Sequence, residues 1–594
     1  MIILGINAYH GDSSACLVAD GKLICAIEEE RIRRIKHWAG LPTESIKWCL
    51  KYAGLNIEDV DHIAISRNPY ARLHKKIFRV FKKLANQGFI KSRLQNIAKI
   101  RNLKYEIASS MEVEPAKIKA KFHNVEHHRA HIGSTFLVSP FEKAVCVTVD
   151  GFGDFVSVMR ATGEGTRIKI NDVVEYPHSL GIFYTAFTQY LGFLKYGDEY
   201  KVMGLSALGE PVYTDEIKKM FRFNNGLFEL DTTYFLHDSE GVEMTWLNAE
   251  PQIGRIYSDK FVEHFGLPRE KDGELSKKYC NIASSIQRVY EDVFFYILNN
   301  SIKAANIGKG VKSGWEKLCL AGGCIQNSLA NGKIFDRTPF DDVYIPPAAH
   351  DAGTAIGSAF WVWNVILGNK RDFVMNLPYW GPVFTDEEID KLIKLRSAEL
   401  REKGCEIREI QDSKEVCRTT AEKIAEGKIV GWFQGRTEWG PRALGNRSIL
   451  VDPRRKEMKD ILNARIKRRE WFRPFAPSVL VEHVSEWFEG SHPVPFMEKV
   501  YRIKTEKRDL IPAVTHVDGT GRLQTVAREM NPMYHQLIEE FYKITKVPIV
   551  LNTSFNENEP IVNIPDDALN CFLRTRMDLL VMGRYIISQS QQTK

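Results

Sequence analysis

His127 and His131 stand one helical turn apart, in the part of this chain richest in metal-binding chemistry. On a helix, positions i and i+4 project from one face, and two imidazoles so placed can reach one ion at about 2 Å. The apolar, β-branched run Ala144–Val149 reads as a buried strand. It delivers Asp150 at its C-terminal end, the edge where open α/β sheets place ligand chemistry. Gly151 and Gly153, flanking Phe152, let backbone amides approach a phosphate closely. Two imidazoles and a carboxylate suit a divalent ion that also touches phosphate. A histidine pair at this spacing is by itself more often a surface or core feature. The company of Asp150 and its glycines favours the metal.

A second stretch has the same character. The strand Leu318–Ala321 runs into Gly322-Gly323 and then into an expected helix carrying Asn327 and Asn331 one turn apart. Paired glycines let a flat base or a phosphate lie against backbone, and a helix N-terminus favours anions. Asp351 follows at the start of a Gly/Ala-rich helix. N-capping alone would explain it; as a fourth ligand it would complete a set with His127, His131 and Asp150. At the N-terminus, strand Ile2–Ile6 leads into a polar turn containing His10 and Asp12, then strand Ala15–Ala19, the hairpin signal Asp20-Gly21 and strand Leu23–Glu28. A histidine titrates near neutrality and could take a proton from an attacking hydroxyl. A turn histidine bonded to backbone is the equally weighted alternative.

The C-terminal third carries cations of a different kind. Arg436, Arg442, Arg447, Lys467, Arg473 and Arg522 lie in Gly/Pro-punctuated loops, and Asn552, Thr553 and Ser554 at a strand end. Guanidinium forks bind phosphate bidentately and lysine supplies a point charge. The pattern indicates a pocket for a small phosphorylated molecule, although structural ion pairs would explain about half of these cations.

These motifs need positioning elements, and the composition bounds them. At 594 residues the chain exceeds one core, so two or more domains are expected. The net charge of +7 is mild and favours anionic small molecules over nucleic acid. Ten scattered cysteines without a C-x-x-C exclude a zinc ribbon or a disulfide framework. The first residues read as a strand rather than a leader, no run approaches the ~18 apolar residues of a span, and a cytoplasmic setting without membrane partners is the expectation. Glu28–Arg34 reads as the start of a solvated helix. The basic stretch 74–104, with Ile77, Val80, Phe81 and Leu84 at helical spacing, reads mainly as a solvated face. Residues 211–275 read as an insertion or lid, Ile282–Ala304 as a core helix, and Asn376–Pro382 as an interdomain connection. No internal repeat is visible.

In order, and over nearly the whole chain, these motifs resemble the O-carbamoyltransferase family of nodulation, antibiotic and toxin biosynthesis. The resemblance implies a mixed α/β protein: an actin/Hsp70-like ATPase-fold domain over 1–375, similar to the threonylcarbamoyl transferases of tRNA, a linker over 376–400, and a YrdC-like α/β domain over 401–594. It implies iron(II) or another divalent metal on His127, His131, Asp150 and Asp351. Nucleotide contacts would come from Gly151, Gly153, Gly322, Gly323, Asn327 and Asn331, and carbamoyl phosphate contacts from Arg442, Lys467, Arg473, Arg522, Asn552 and Ser554. The implied reaction has two stages. Carbamoyl phosphate and ATP, with Mg(II), give carbamoyl-adenylate, phosphate and pyrophosphate; a hydroxyl of a small-molecule natural product or sugar then takes the carbamoyl group and AMP leaves. His10 is the expected base, with Asp12 orienting it or the substrate. The resemblance is weakest over 65–110 and 211–275, the expected regions of acceptor recognition. A tRNA threonylcarbamoyl-type transferase, a sugar kinase and a nucleotide-dependent binding or regulatory protein remain as alternatives, and a homodimer is an open expectation.

Overall fold

Asp20 and Gly21 both take positive φ (47° and 78°), the two-residue turn whose twist matches that of paired strands. They fold β2 (Ser14–Ala19) back onto β3 (Lys22–Glu28), while β1 (Ile2–Asn7) pairs antiparallel with the other edge of β2. β4 (His62–Ile65) and β5 (Lys121–Asn124) add parallel to β1, giving the sheet order β3-β2-β1-β4-β5. Helix α1 (Glu29–Arg33) follows β3, and α2 (His127–Thr135) follows β5. The structure is a computed structural model that describes residues 1–76, 102–241, 244–247, 250–304 and 315–589. Most of the basic stretch read at 74–104, including Ile77, Val80, Phe81 and Leu84, lies outside the described residues.

The same pattern then recurs. β6 (Lys143–Gly153), β7 (Val156–Glu164) and β8 (Arg167–Glu175) form an antiparallel meander. After the long helix α3 (Lys277–Ala304), β9 (Lys317–Ala321) and β10 (Asp342–Tyr344) add parallel to β6. The second order is β10-β9-β6-β7-β8, and a helix, α4 (Thr354–Phe360), again follows the last strand. This duplicated sheet is the actin-like ATPase architecture. Helices α2 and α4 cross with almost nothing between them: a Cβ at Gly133 would overlap the carbonyl of Gly357, and one at Gly357 the carbonyl of Ala130.

The chain divides into two compact units, residues 1–375 and 376–594. In the second, α5 (Asp386–Leu395), α6 (Ser413–Ala425), α7 (Pro532–Thr545) and α8 (Pro565–Arg574) accompany an eight-stranded mixed sheet. Its strands are β11 (Cys405–Glu409), β12 (Val430–Phe433), β13 (Arg447–Val451), β14 (Ala476–Leu480), β15 (Gln524–Val526), β16 (Ile549–Ser554), β17 (Leu579–Met582) and β18 (Tyr585–Gln589), in the order β11-β18-β17-β12-β13-β16-β14-β15.

Three sequence readings change here. Within the stretch read as a linker, 376–400, α5 sends Ile389 and Ile393 into the core of the second unit. The charged run at α1 is not solvated. Glu29 is fully buried, and its carboxylate accepts from Ser45 N–H and Oγ–H (both 2.7 Å) and from Arg33 Nε (2.7 Å). After β9, Gly323–Gln326 is a 3₁₀ turn and the helix begins at Ser328, so Asn327 is its N-cap rather than a helical residue. Residues 211–275 contain a short hairpin, 221–230, an antiparallel strand pair, Met244–Leu247 with Glu250–Ile253, and short helices.

Candidate active site

The fold places strand ends and helix starts of both sheets at one locus of the first unit. Asp150 sits at a register break near the end of β6, and its Oδ1 accepts from Gly323 N–H (3.1 Å). Helix α2 presents His127 and His131 together. His127 Nε2 lies 2.9 Å from Asp150 Oδ2 and 3.6 Å from Asp351 Oδ1; His131 Nε2 lies 3.4 and 3.5 Å from the same oxygens. The two Nε2 atoms are 3.1 Å apart. Donors arranged tetrahedrally about 2.0–2.2 Å from a divalent ion stand roughly 3.3–3.6 Å from one another; the 3.4, 3.5 and 3.6 Å distances lie in that range, and the 2.9 and 3.1 Å ones are shorter, as for groups hydrogen-bonded to each other. All four donor atoms lie within 4.8 Å of each other. His131 Nδ1 is buried without a hydrogen-bond partner among the described residues, so Nε2 is the nitrogen of that ring with work to do. The set of two imidazoles and two carboxylates fits a divalent ion.

Glycine shapes this locus. A Cβ at Gly153 would overlap the His127 ring, and the turn continues to Asp154, whose Oδ2 accepts the His127 N–H (2.9 Å). Gly322 (φ 108°) packs on the Val149 carbonyl, where a Cβ would collide. Gly151 faces open space. The two asparagines serve the loop: Asn331 Nδ2 donates to Ile325 O (2.7 Å), and Asn327 exchanges hydrogen bonds with Gln287. His128 is a satisfied core histidine, its Nδ1 2.7 Å from Thr148 Oγ1 and its Nε2 3.0 Å from Val156 O. Burial, then the charges of His127 and His131, hold it well below the usual imidazole range. Burial alone would depress His127 too, but Asp351 and Asp150 outweigh it and raise it to about 9.

His10 meets the cluster through Asp351. Its Nδ1 is 2.9 Å from Asp351 Oδ2, while Oδ1 of the same carboxylate faces the two Nε2 atoms. Asp351 therefore orients His10, and Asp12 has a different partner, His37, at 2.8 Å. Two residues near this locus escaped the sequence reading. His37 closes the charged run after α1. Tyr196 is pushed well above the phenol range by burial and then by Asp12, Asp351, Asp150 and Glu199, and its Oη leaves no room for a side chain at Gly11 (2.7 Å to a Cβ). Only the Lys195–Asp198 turn would have hinted at Tyr196.

The second unit sorts its six loop cations into two groups. Arg436 donates to Gly381 and Trp380 carbonyls, and Arg447, fully buried, to those of Gln434, Gly435 and Asn446. Lys467 Nζ bonds Ser554 O, Ser554 Oγ (3.2 Å), Asn556 O (2.9 Å) and Asn556 Oδ1 (2.7 Å). These three hold loops. Arg442 and Arg473 instead both bear on Arg522, with Glu470 3.4 Å from Arg473 and Glu498 near Arg442 as partial counter-charges. Burial, then the charges of Arg442 and Arg473, pull Arg522 down to about 9, and burial lowers Arg442 to about 10. Asn552 Nδ2 donates to Ala443 O (3.1 Å), next to Arg442. Glu438 went unnoticed in the sequence. It is 1% exposed, and its Oε1 accepts from the N–H groups of Leu444 (2.9 Å), Asn446 (2.8 Å) and Arg447 (3.0 Å). It is the hub of the loop that carries Arg442.

Comparison with known proteins agrees over both units. Residues 2–360 match the family described as Carbamoyltransferase N-terminus, and residues 421–589 match Carbamoyltransferase C-terminus. The chain is 37% identical to the uncharacterized protein sll1178 of Synechocystis, covering 99% of this chain and 97% of that protein. It is 38% identical to nodulation protein NolNO of Sinorhizobium fredii (98% of this chain, 80% of that protein) and 40% identical to nodulation protein NolO of Bradyrhizobium diazoefficiens (78% of each). With two convergent polar sites and both family halves present in order, this chain belongs to the carbamoyltransferase family.

Proposed function

We propose that this transferase is an ATP-dependent O-carbamoyltransferase with a hydroxyl-bearing small molecule as acceptor. Its first stage makes carbamoyl-adenylate. Water cleaves carbamoyl phosphate to carbamate and phosphate, and a carbamate oxygen then attacks the α-phosphorus of ATP, with Mg(II), expelling pyrophosphate. The supporting feature is Arg522, buried beside the charges of Arg442 and Arg473, where a phosphate would add the negative charge that Glu470 and Glu498 supply only to its neighbours. Lys467, Asn552 and Ser554 hold the loops around it.

In the second stage an acceptor oxygen attacks the carbamoyl carbon, the bond to the AMP phosphate oxygen breaks, and the hydroxyl proton passes to His10 Nε2. The observation that carries this reading is Asp351, which orients His10 through Oδ2 while Oδ1 faces His127 and His131. With its Nδ1–H donated to a carboxylate, the ring holds the tautomer that leaves Nε2 as acceptor. A divalent ion on His127, His131, Asp150 and Asp351 would supply positive charge to the adenylate. Gly151, which faces open space, would let backbone approach the nucleotide closely, while Gly153, Gly322 and Gly323 let the surrounding loops pack against His127, Val149 and Asp150.

The test omits the acceptor. Protein, iron(II), Mg(II), ATP and carbamoyl phosphate are mixed, and pyrophosphate and carbamoyl-adenylate are followed by mass spectrometry. Pyrophosphate release that requires carbamoyl phosphate is expected. Absence of adenylate with both ligands bound would refute the two-stage reading.

A further inference from the structure

The turn that carries His10 is held in an unfavourable conformation by several contacts, among them one short segment that reaches Asp12 through a side chain. Tyr9 and Asp12 have positive φ (67° and 59°), a region side-chain-bearing residues rarely adopt and one found at functional sites. Asn7 Nδ2 donates to Asp12 O (2.9 Å) and Arg67 to Tyr9 O (3.2 Å), and residues 37–40 add the restraint on the other side. Gly40 O accepts from Tyr9 N–H and Ser13 Oγ–H (both 2.9 Å), and Trp38 O accepts from Ser13 N–H (3.0 Å). His37 completes the clasp, with Nδ1 2.8 Å from Asp12 Oδ1. His37 is itself left-handed (φ 54°), and its N–H donates to Glu30 Oε2 (2.8 Å). Its ring meets Tyr196 edge-on at 5.3 Å, and its Nε2 abuts Gly197, where a Cβ would come within 2.7 Å. The group Asp12–Glu30–His37 is separate from the four convergent ligands.

We propose that His37 is a positioning residue for carbamoyl transfer: through Asp12 it fixes the turn that presents His10 to the acceptor hydroxyl. This rests on His10 being the base. The pair joins two residues that are each held away from the common backbone regions, so losing it lets the turn relax, and a displacement near 1 Å at a reacting group costs about 100-fold in rate.

The test uses full-length, iron-loaded protein making carbamoyl-adenylate in situ, with glycerol at molar concentration and water as probe acceptors, and follows AMP release and glyceryl carbamate. His37→Gln and Asp12→Asn should each slow AMP release by about 10- to 100-fold, with iron content, pyrophosphate formation and glycerol KM unchanged. The double variant should be no slower than either single one. Wild-type rates in His37→Gln, or slowing that tracks lost iron or lost pyrophosphate formation, would overturn the proposal. If His10→Asn releases AMP as fast as the wild type, the base reading itself fails and this proposal falls with it; loss of AMP release in His10→Asn alone, with His37→Gln intact, overturns only the role of His37.

Discussion

Replacing Glu438 by glutamine changes one atom and should unlock a whole loop. In the native protein Oε1 accepts three backbone N–H groups, from Leu444, Asn446 and Arg447. Bonds to an ionised acceptor contribute roughly 1.5–3 kcal/mol each and neutral ones roughly 0.5–1.5, so neutralising the acceptor costs about 1 kcal/mol per bond. Oε2 is buried without a hydrogen-bond partner among the described residues. The glutamine amide placed there would lack an acceptor, adding about 1 kcal/mol. The sum, about 4 kcal/mol, is a large share of a domain's stability but below the usual total of about 5–15 kcal/mol. The variant should fold with this loop loosened. Hydrogen exchange by mass spectrometry, on peptides covering 438–447, should show protection falling by about 100-fold or more, since 1.4 kcal/mol is tenfold. The KM for carbamoyl phosphate should rise in parallel, because Arg442 rides on this loop. Exchange within threefold of the wild type would refute the role given to Glu438.

Other outcomes follow from the same geometry. Arg522→Met should raise the melting temperature of the ligand-free protein, by relieving repulsion from Arg442 and Arg473, while abolishing the stabilisation conferred by added phosphate; a lower melting temperature with phosphate stabilisation intact would contradict this. Gly153→Ala, which alters no ligand, should push against the His127 ring and weaken iron binding by about 10- to 100-fold, read by metal analysis after dialysis. Undiminished binding would remove the glycine from the site. His123, buried and 2.8 Å from His62, is held down to about 4 by burial and then by His62. Its folded value lies below the unfolded 6.5, so the unfolded chain binds more protons between these limits. Stability should therefore rise with pH from about 4 to 6.5, by at most about 3 kcal/mol. His123→Asn should flatten the melting temperature across that window, and an unchanged slope would exclude the contribution.

Short-range chemistry was legible in the sequence. The spacing of His127 and His131, the strand delivering Asp150, and the Asp20-Gly21 turn follow from local periodicity and turn preference. What eluded it was set by partners distant along the chain. Nothing near Glu29 announces that Ser45 will bury it, and nothing near Lys467 announces the carbonyls of Ser554 and Asn556. The loop position of the six C-terminal cations marked them as unusual, but only three-dimensional placement separates Arg436 and Arg447, which hold backbone, from Arg522. The duplicated sheets were invisible as a repeat because strand order and pairing direction, not residue identity, are what the two halves share.

The bare crossing of α2 and α4 at Gly133 and Gly357 has a mechanical consequence. Backbone touching backbone has no rotamers to adjust, so this joint cannot absorb motion by repacking. His131 lies two residues before Gly133 and Asp351 six before Gly357, so both donors sit on the segments that this crossing holds together. The spacing between His131 and Asp351 is thus fixed by backbone against backbone, and a larger residue at Gly133 or Gly357 would separate the two donors before it touched either of them.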